Sequence, residues 1–291
     1  MSERLHALLA RCLESEAVVV ATVLATRGAT PRKRGTRMLV TATATESTIG
    51  GGELEARVIA AARALLARSD LSTEMPIALD GQPGAAGVCG GAMRIALRRW
   101  DGAVDQARAR AIASALGDGE VVALDPGDLG ATDASATLQP DIRLLIVGGG
   151  HCAVALHALA QHLDFDRWVY AREAGDAPLA GFPAATRLTG DPSQLALALE
   201  TTRAVYAVLL NRDYASDVAA LDVLCRQPPA FLGMMGSRRR IAEVRAALPA
   251  HVQALESLQA PVGLEIEAQS PHEIAVSILA QLIAYRRRHQ D

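Results

Sequence analysis

The chain has 291 residues, a formal net charge of −3 and an apolar content of 50%, which suit one large or two ordinary domains with sizeable cores. The slightly acidic balance argues against general binding of nucleic acid. No apolar run approaches the roughly 18 residues of a membrane helix, and the first residues lack the apolar core of a signal peptide. We therefore expect a cytoplasmic protein without membrane contact.

The first half of the chain mixes helical and strand patterns. Residues 2–14 have the amphipathic pattern of a helix, and residues 17–25 form an apolar, β-branched run typical of a buried strand. Further strands are predicted at 38–41, 77–79, 93–97 and 121–124, and further helices at 54–66 and 103–116. These patterns predict a mixed α/β N-terminal domain over residues 1–125.

Residues 126–140 are rich in Asp, Gly, Thr, Ser and Pro, and we interpret them as a linker. Strand and helix patterns alternate after it, which predicts a C-terminal Rossmann-like parallel-sheet domain over residues 141–291. The predicted strands are 144–147, 168–170, 205–209 and 230–232, and the predicted helices are 151–162, 193–200, 214–225 and 236–247. Ser270 and Glu273 form the capping box of a last amphipathic helix over 271–288.

A glycine turn, Gly148-Gly149-Gly150, lies between an apolar strand and an alanine-rich helix, the arrangement that holds a phosphate or dinucleotide. Gly148 is expected to make the tight turn and Gly150 to let a pyrophosphate approach the backbone, with His151 within reach of a bound phosphate. NAD sites carry an acid roughly 20 residues further on. Here the end of the second strand carries Tyr170, with Arg172 and Glu173 just beyond, so a nucleotide site and a scaffold without one both remain open.

A basic loop follows the first predicted strand. Arg27 and Arg32 are two of its five positive side chains, counting Arg37 just after it. Guanidinium groups suit phosphate oxygens, although a solvated surface loop is the commoner explanation of such a cluster. The run Gly50-Gly51-Gly52 precedes a helix, and we expect its amides to be free to contact an anion.

Cys89 lies directly before the pair Gly90-Gly91, where we expect the side chain to be exposed and backbone donors to stabilise a thiolate. A thiolate there would suit a nucleophile, a sulfur carrier or a soft metal ligand. The other cysteines fall in or beside predicted helices, which is typical of small buried apolar residues. In the C-terminal half, the run Ser237-Arg238-Arg239-Arg240 is either a second anion site or a helix start with a solvated basic face.

Five motifs of the chain occur in a characteristic order: Gly28-Ala-Thr-Pro-Arg32, Thr48-Ile-Gly-Gly-Gly-Glu-Leu-Glu55, Cys89-Gly-Gly91, Phe231-Leu-Gly-Met-Met-Gly-Ser-Arg238 and Ser270-Pro-His-Glu-Ile-Ala-Val-Ser. As a set, with the Rossmann turn between them, they resemble the XdhC/CoxI family. These are accessory proteins for molybdenum hydroxylases such as xanthine dehydrogenase. The resemblance covers almost the whole chain.

The resemblance implies that the protein binds the molybdenum cofactor (molybdopterin) transiently, holds it while sulfur from a cysteine desulfurase replaces an oxo ligand, and delivers it to an apo molybdenum hydroxylase of the xanthine dehydrogenase type. It implies that Cys89 holds the cofactor, with Arg32 and the Gly50-Gly51-Gly52 turn at the same site. We therefore expect a cofactor-binding chaperone rather than a turnover enzyme. A homodimer remains open, because the last helix is apolar enough to form one.

Two other functions remain open at this point. The Rossmann-like half, by itself, fits an NAD(P)-dependent oxidoreductase, although no Tyr/Lys or His catalytic pair is evident. It also fits a nucleotide-binding regulatory protein, for which replacement of Cys89 would be silent. We expect the ligand cleft to lie between the two halves.

Overall fold

The computed structural model describes residues 2–68, 70–172 and 181–289. The chain divides into two compact units, Met1–Pro140 and Asp141–Asp291. Each unit is built on a five-stranded sheet with a hydrophobic core against each face. Over the described ranges, the structure contains no helix with the length and apolar character needed to cross a bilayer.

The N-terminal unit is an antiparallel sheet covered by helices on both faces. Its elements are α1 (Ser2–Cys12), β1 (Val18–Arg27), β2 (Arg37–Val40), β3 (Thr45–Glu46), α2 (Gly52–Leu66), β4 (Ser72–Leu79), β5 (Gly91–Trp100), α3 (Gly102–Gly117), β6 (Val122–Leu124), α4 (Pro126–Leu129) and β7 (Ala136–Leu138). The strand order is β3-β2-β1-β5-β4. Helices α1 and α3 cover one face and α2 the other, which explains why β1 is a continuous apolar run.

The segment 126–140 is folded onto the N-terminal unit, in contrast to the linker that its composition predicted. Asp125 caps α4 through a reciprocal capping box, and β7 pairs antiparallel with β6. Leu129 and Leu138 are buried in the core formed with α1 and α3. A few apolar residues suffice here because the neighbouring helices supply the rest of the core.

The C-terminal unit contains a parallel sheet with helices on both faces, so the predicted Rossmann-like fold is confirmed. Its elements are β8 (Ile142–Val147), α5 (His151–Ala160), β9 (Phe165–Ala171), β10 (Thr186–Thr189), a 3₁₀ helix (Pro192–Ala198), β11 (Val205–Leu209), α6 (Tyr214–Leu224), β12 (Phe231–Met234), α7 (Arg238–Ala247), α8 (Val252–Glu256) and α9 (Pro271–His289). The strand order is β10-β9-β8-β11-β12. Strand β10 escaped prediction because it is short, polar and mostly exposed.

The last helix, α9, packs on its own unit. Ala275, Ile278 and Leu282 are buried in the same core as α5. Its predicted capping box is present: the Glu273 amide donates to Ser270 Oγ at 3.3 Å, and the Ser270 amide donates to the Glu273 carboxylate at 2.8 Å.

A carboxylate from the first turn of α2 accepts hydrogen bonds from the glycine turn that precedes this helix. Glu55 accepts hydrogen bonds from the amides of Ile49 and Gly51, both at 3.0 Å, and from the Thr48 hydroxyl. The Gly50 amide donates to Thr48 Oγ1 at 3.2 Å. The expectation of free amides is therefore wrong for Gly50 and Gly51. Burial raises the pKa of Glu55, but the hydrogen bonds outweigh it and the pKa is lowered overall.

The loop after β11 is tied to the core by Arg240. Its guanidinium pairs with the carboxylate of Asp217, which is fully buried in α6. It also donates to the carbonyl oxygens of Asn211 at 3.1 Å, Arg212 at 3.0 Å and Asp213 at 2.8 Å. Arg240 is thus a structural clamp rather than a surface cation.

The alternative of a second anion site at the start of α7 is not supported for two of its three arginines. Arg240 is engaged by the clamp, and Arg239 pairs with Glu243 at 2.8 Å. Arg238 is exposed. The basic run is therefore the start of a helix in which the side chain of Arg240 points into the fold. Ser237 caps α7, because its hydroxyl oxygen accepts a hydrogen bond from the Arg240 amide at 3.3 Å.

We expect Glu55→Gln to lower the free energy of unfolding by about 1–3 kcal/mol at pH 7, because a neutral amide satisfies three donors less well than a carboxylate. The lowered pKa means that this stabilisation is fully present above the ordinary value of 4.5 and is lost as the pH falls below it. Urea unfolding at pH 7 and pH 4 measures this. The difference in free energy of unfolding between Glu55→Gln and the wild type should be smaller at pH 4. Glu53→Gln, an exposed neighbour, is the control; an equal loss at both pH values would contradict this account.

We expect Arg240→Leu to destabilise the C-terminal unit by about 3–5 kcal/mol, because it leaves the Asp217 carboxylate buried without its counter-ion. Arg239→Leu is the matched control, since its ion pair with Glu243 is exposed to solvent and contributes little to stability. Urea unfolding measures both. Adding Asp217→Asn to Arg240→Leu should recover part of the loss, and no difference between the two arginine variants would contradict the clamp.

Candidate functional site

The loop that carries Cys89 closes the β4–β5 hairpin and touches the basic loop after β1. A Cβ atom on Gly91 would lie 2.2 Å from the carbonyl oxygen of Ala29, and one on Gly28 would lie 2.9 Å from the carbonyl oxygen of Gly90. Real side chains do not fit at such distances. The two loops are therefore in direct backbone contact, which requires glycine at both positions.

The glycine turn before α2 packs against the same basic loop. A Cβ atom on Gly50 would lie 2.8 Å from the Pro31 ring. The structure thus brings together, within the N-terminal unit, the three segments in which the sequence predicted cofactor-binding residues: the basic loop, the glycine turn and the Cys89 loop.

The basic loop presents free cations. Arg27, Arg32 and Lys33 are exposed, and in the part of the chain that the structure describes none of them forms an ion pair with a carboxylate. Arg34 donates to the carbonyl oxygen of Ser135 at 3.3 Å. Exposed guanidinium groups without a partner are available to an anionic ligand.

Arg37, the fifth cation counted with this loop, belongs to the interior instead. It lies in β2 and is 5% exposed. Burial lowers its pKa to about 10, although the charge of Asp128 raises it. Its Nε and Nη1 atoms have no hydrogen-bond partner among the residues that the structure describes. Arg37 therefore does not contribute to the surface that the rest of the loop forms.

The Cys89 thiol is exposed, as predicted, on a loop that is held in place. Arg57 of α2 donates to the carbonyl oxygens of Gly84 at 2.7 Å and Ala85 at 3.5 Å, and pairs with Glu53 at 2.8 Å. The sequence analysis missed Arg57; its only signal is the i,i+4 spacing from Glu53. Within the described ranges, no group of three or more His, Cys, Asp or Glu side chains is placed to hold a metal ion.

The C-terminal unit has its own cavity, of about 80 Å³, at the carboxyl ends of its parallel strands. Its walls are the glycine turn after β8, the end of β9 and the loop after β11. Gly148 is needed there because a Cβ atom would lie 3.0 Å from the backbone of Leu210, at a φ of 126°. The predicted residues Gly148 and Gly150 therefore lie where the sequence placed them, at the rim of a cavity.

Arg212 follows β11, at the edge where parallel sheets place ligands, and it lies against this turn. A Cβ atom on Gly150 would lie 3.2 Å from its Nε, and its Nη2 lies 3.1 Å from Nδ1 of His151. A guanidinium has donors only, so Nδ1 is the acceptor and the ring proton is on Nε2. His151 therefore orients Arg212, and Arg212 presents the positive charge to the cavity.

The end of β9 combines a buried phenol with an exposed cation. The Tyr170 hydroxyl donates to the carbonyl oxygen of Gly190 at 2.7 Å. Burial raises the pKa of Tyr170, the charge of Asp191 adds to this, and the charge of Arg172 opposes it. Arg172 is exposed and lines the cavity, so the strand end offers a positive charge where NAD sites have a negative one.

Curated relatives of the chain are longer than it is. It is 30% identical over 273 residues to the uncharacterized protein YqeB of Escherichia coli (strain K12), covering 91% of this chain and 42% of that one. It is 30% identical over 154 residues to a protein of Bacillus subtilis (strain 168) named as a probable xanthine dehydrogenase subunit, covering 52% of this chain and 45% of that one. The chain thus spans less than half the length of these two relatives.

A solved structure from Bacillus halodurans, described as a xanthine dehydrogenase, has the same fold, with a TM-score of 0.83 at 23% identity over 99% of this chain and 97% of that one. The model of the XdhC Rossmann domain matches residues 144–282. The model of the XdhC and CoxI family matches residues 12–73. These two matches fall in different units and together cover more than half of the sequence, so the chain belongs to the XdhC and CoxI family.

Proposed function

We propose that this protein is an accessory protein of a xanthine dehydrogenase system, which binds the molybdenum cofactor, holds it for sulfuration and delivers it to a molybdenum hydroxylase. Family membership supports the accessory role, as does the Bacillus subtilis relative, whose name places it in a xanthine dehydrogenase. The observation that carries the cofactor-binding part is the backbone contact between the Cys89 loop and the basic loop.

The residues of the N-terminal unit fit such a ligand. Cys89 offers an exposed thiol, and thiolates are the protein ligands that suit soft metal centres. Arg27 and Arg32 offer unpaired guanidinium groups for the phosphate of the pterin. The backbone contact through Gly28 and Gly91 joins the loop that carries the thiol to the loop that carries the cations, which supports a single site for both.

The glycine turn has a smaller part in binding than its sequence predicted. The Gly50 and Gly51 amides are occupied by Thr48 and Glu55, and among the described residues the Gly52 amide has no hydrogen-bond acceptor. We therefore assign anion binding chiefly to the arginines. The role of the turn is to support the basic loop through the contact between Gly50 and Pro31.

The cofactor would supply the molybdenum centre of the client hydroxylase, and this chain's residues would hold and shield it. Support for a cysteine desulfurase as sulfur donor and for an apo hydroxylase as recipient comes from family membership alone. Holding without turnover agrees with a site made chiefly of one thiol and guanidinium groups. A carrier of this kind needs a ligand for the metal and counter-charges for the phosphate, and the N-terminal unit provides both.

We expect the purified protein, incubated anaerobically with released molybdenum cofactor and desalted, to retain molybdenum and pterin in near-equal amounts. Cys89→Ser should lower the retained molybdenum about tenfold or more, because a hydroxyl is a poor ligand for a soft metal. The double variant Arg27→Gln/Arg32→Gln should weaken retention and remove most of its salt dependence. Molybdenum and fluorescent pterin in the desalted protein are the measurements.

Cys12→Ser is the matched control. Cys12 lies in α1 and packs on the face of the sheet opposite to the one that α2 covers. This variant should retain the cofactor as the unaltered protein does. Undiminished retention by both Cys89→Ser and the arginine double variant would exclude this surface as the site. No retention by the unaltered protein would exclude the carrier role.

A further inference from the structure

The cavity of the C-terminal unit lies where the strand order reverses. The chain continues from β8 to β9 and β10 on one side and crosses to β11 and β12 on the other. In open parallel sheets, the crevice outside the carboxyl ends of the strands at this reversal is where ligands bind. The surface considered for the molybdenum cofactor belongs to the other unit, so this inference does not rest on that proposal.

One side of the cavity is built for a diphosphate. Helix α5 begins at the glycine turn, and its N-cap residue, Gly150, has no side chain that could occupy the first amides of the helix. Arg212 adds a full positive charge beside the same turn. Its backbone carbonyl is held by the Arg240 clamp, so the loop that carries this charge is fixed.

Asp213 is the acidic residue among the described residues that line the cavity. Its carboxylate is engaged as the cap of α6, where it accepts from the Ser216 amide at 2.8 Å. Asp213 follows β11 rather than β9, so it does not occupy the place of the ribose-binding acid of dinucleotide sites. Among the described lining residues, backbone amides and two guanidinium groups favour an anionic ligand with more than one phosphate.

The second cation is at the end of β9, the place where dinucleotide-binding folds meet the adenosine ribose. An acid there accepts hydrogen bonds from free ribose hydroxyls, whereas an arginine accommodates a 2′-phosphate. This chain has Arg172. Hydrogen bonds from Ser193 lower the pKa of Asp191, and the charge of Arg172 lowers it further, so this carboxylate is the nearby counter-charge of Arg172. The two form no ion pair within 4.0 Å in the described structure, so the guanidinium remains able to bind a phosphate.

The size of the cavity agrees with a site for the phosphate groups of a ligand. About 80 Å³ is room for several water molecules, each of which needs about 10–15 Å³ of such volume. It accommodates phosphoryl groups but not a whole nucleoside. The sugars and bases of a ligand must therefore extend along the open side, and its phosphates are the groups that enter.

We propose that the C-terminal unit binds a dinucleotide that carries a phosphate on its adenosine 2′-hydroxyl, of the NADP type. The diphosphate lies on the glycine turn beside Arg212, and the 2′-phosphate lies against Arg172. The oxidised and reduced forms bind alike in this assignment, because the recognised groups are the phosphates. The role is binding, and no hydride transfer is assigned to the protein.

Isothermal titration calorimetry of the full-length protein with NADP⁺, NAD⁺ and inorganic pyrophosphate tests the assignment. NADP⁺ should bind about tenfold or more tightly than NAD⁺, because charge-assisted hydrogen bonds to the 2′-phosphate are made only by NADP⁺. Arg172→Gln should remove this preference and leave NAD⁺ binding unchanged. Arg212→Gln should weaken both dinucleotides together.

Arg238→Gln is the control, because Arg238 is an exposed arginine of the same unit outside the cavity. Thermal unfolding of each variant separates loss of binding from loss of fold. Equal affinity for NAD⁺ and NADP⁺, or no binding of either, would overturn the proposal. So would pyrophosphate binding as tightly as NADP⁺, which would make the cavity a general anion site. None of these outcomes bears on retention of the molybdenum cofactor by the N-terminal unit.

Discussion

The N-terminal unit depends on one close contact between two backbones. Gly91, where β5 begins, and Gly28, just after β1, press the loop of the β4–β5 hairpin against the basic loop. Any side chain at Gly91 would overlap the carbonyl oxygen of Ala29. The loop that carries the exposed thiol of Cys89 and the loop that carries the exposed arginines are joined by this contact. The sheet register fixes it, since Arg27 pairs with Ala92 next to Gly91.

Carboxylates and arginines inside the fold hold the loops that carry the candidate sites. Glu55 gathers the amides of the turn before α2, and Arg57 holds the hairpin loop from the same helix. In the C-terminal unit, the pair of Asp217 and Arg240 fixes the loop after β11 in the same way. In both units, buried or half-buried charge positions a loop. A buried ion pair contributes little net stability because desolvation of the two charges offsets their attraction, which suits a role in fixing the geometry of a loop.

Much of the fold was accessible from sequence because the strongest patterns are local. The apolar runs of β1, β8 and β11 are buried on both faces of a sheet, and each was predicted within a few residues. The capping box of α9 is likewise a local hydrogen-bond pattern. The failures occurred where partners are distant: residues 126–140 resemble a linker until the core of α1 and α3 is present, and the polar strand β10 has meaning only beside β9.

The candidate sites divide in the same way. Sequence alone determined that Cys89 stands before two glycines, that the glycine turn follows a buried strand, and that a family resemblance spans both units. Only the tertiary structure decided which donors remain free: the Gly50 and Gly51 amides are taken by neighbours, Arg37 is enclosed, and Arg240 is a clamp. It also placed Arg212 against Gly150. The reason is physical, because residue type and spacing define what a side chain can bind, whereas availability depends on partners that are remote in the chain and brought near by folding.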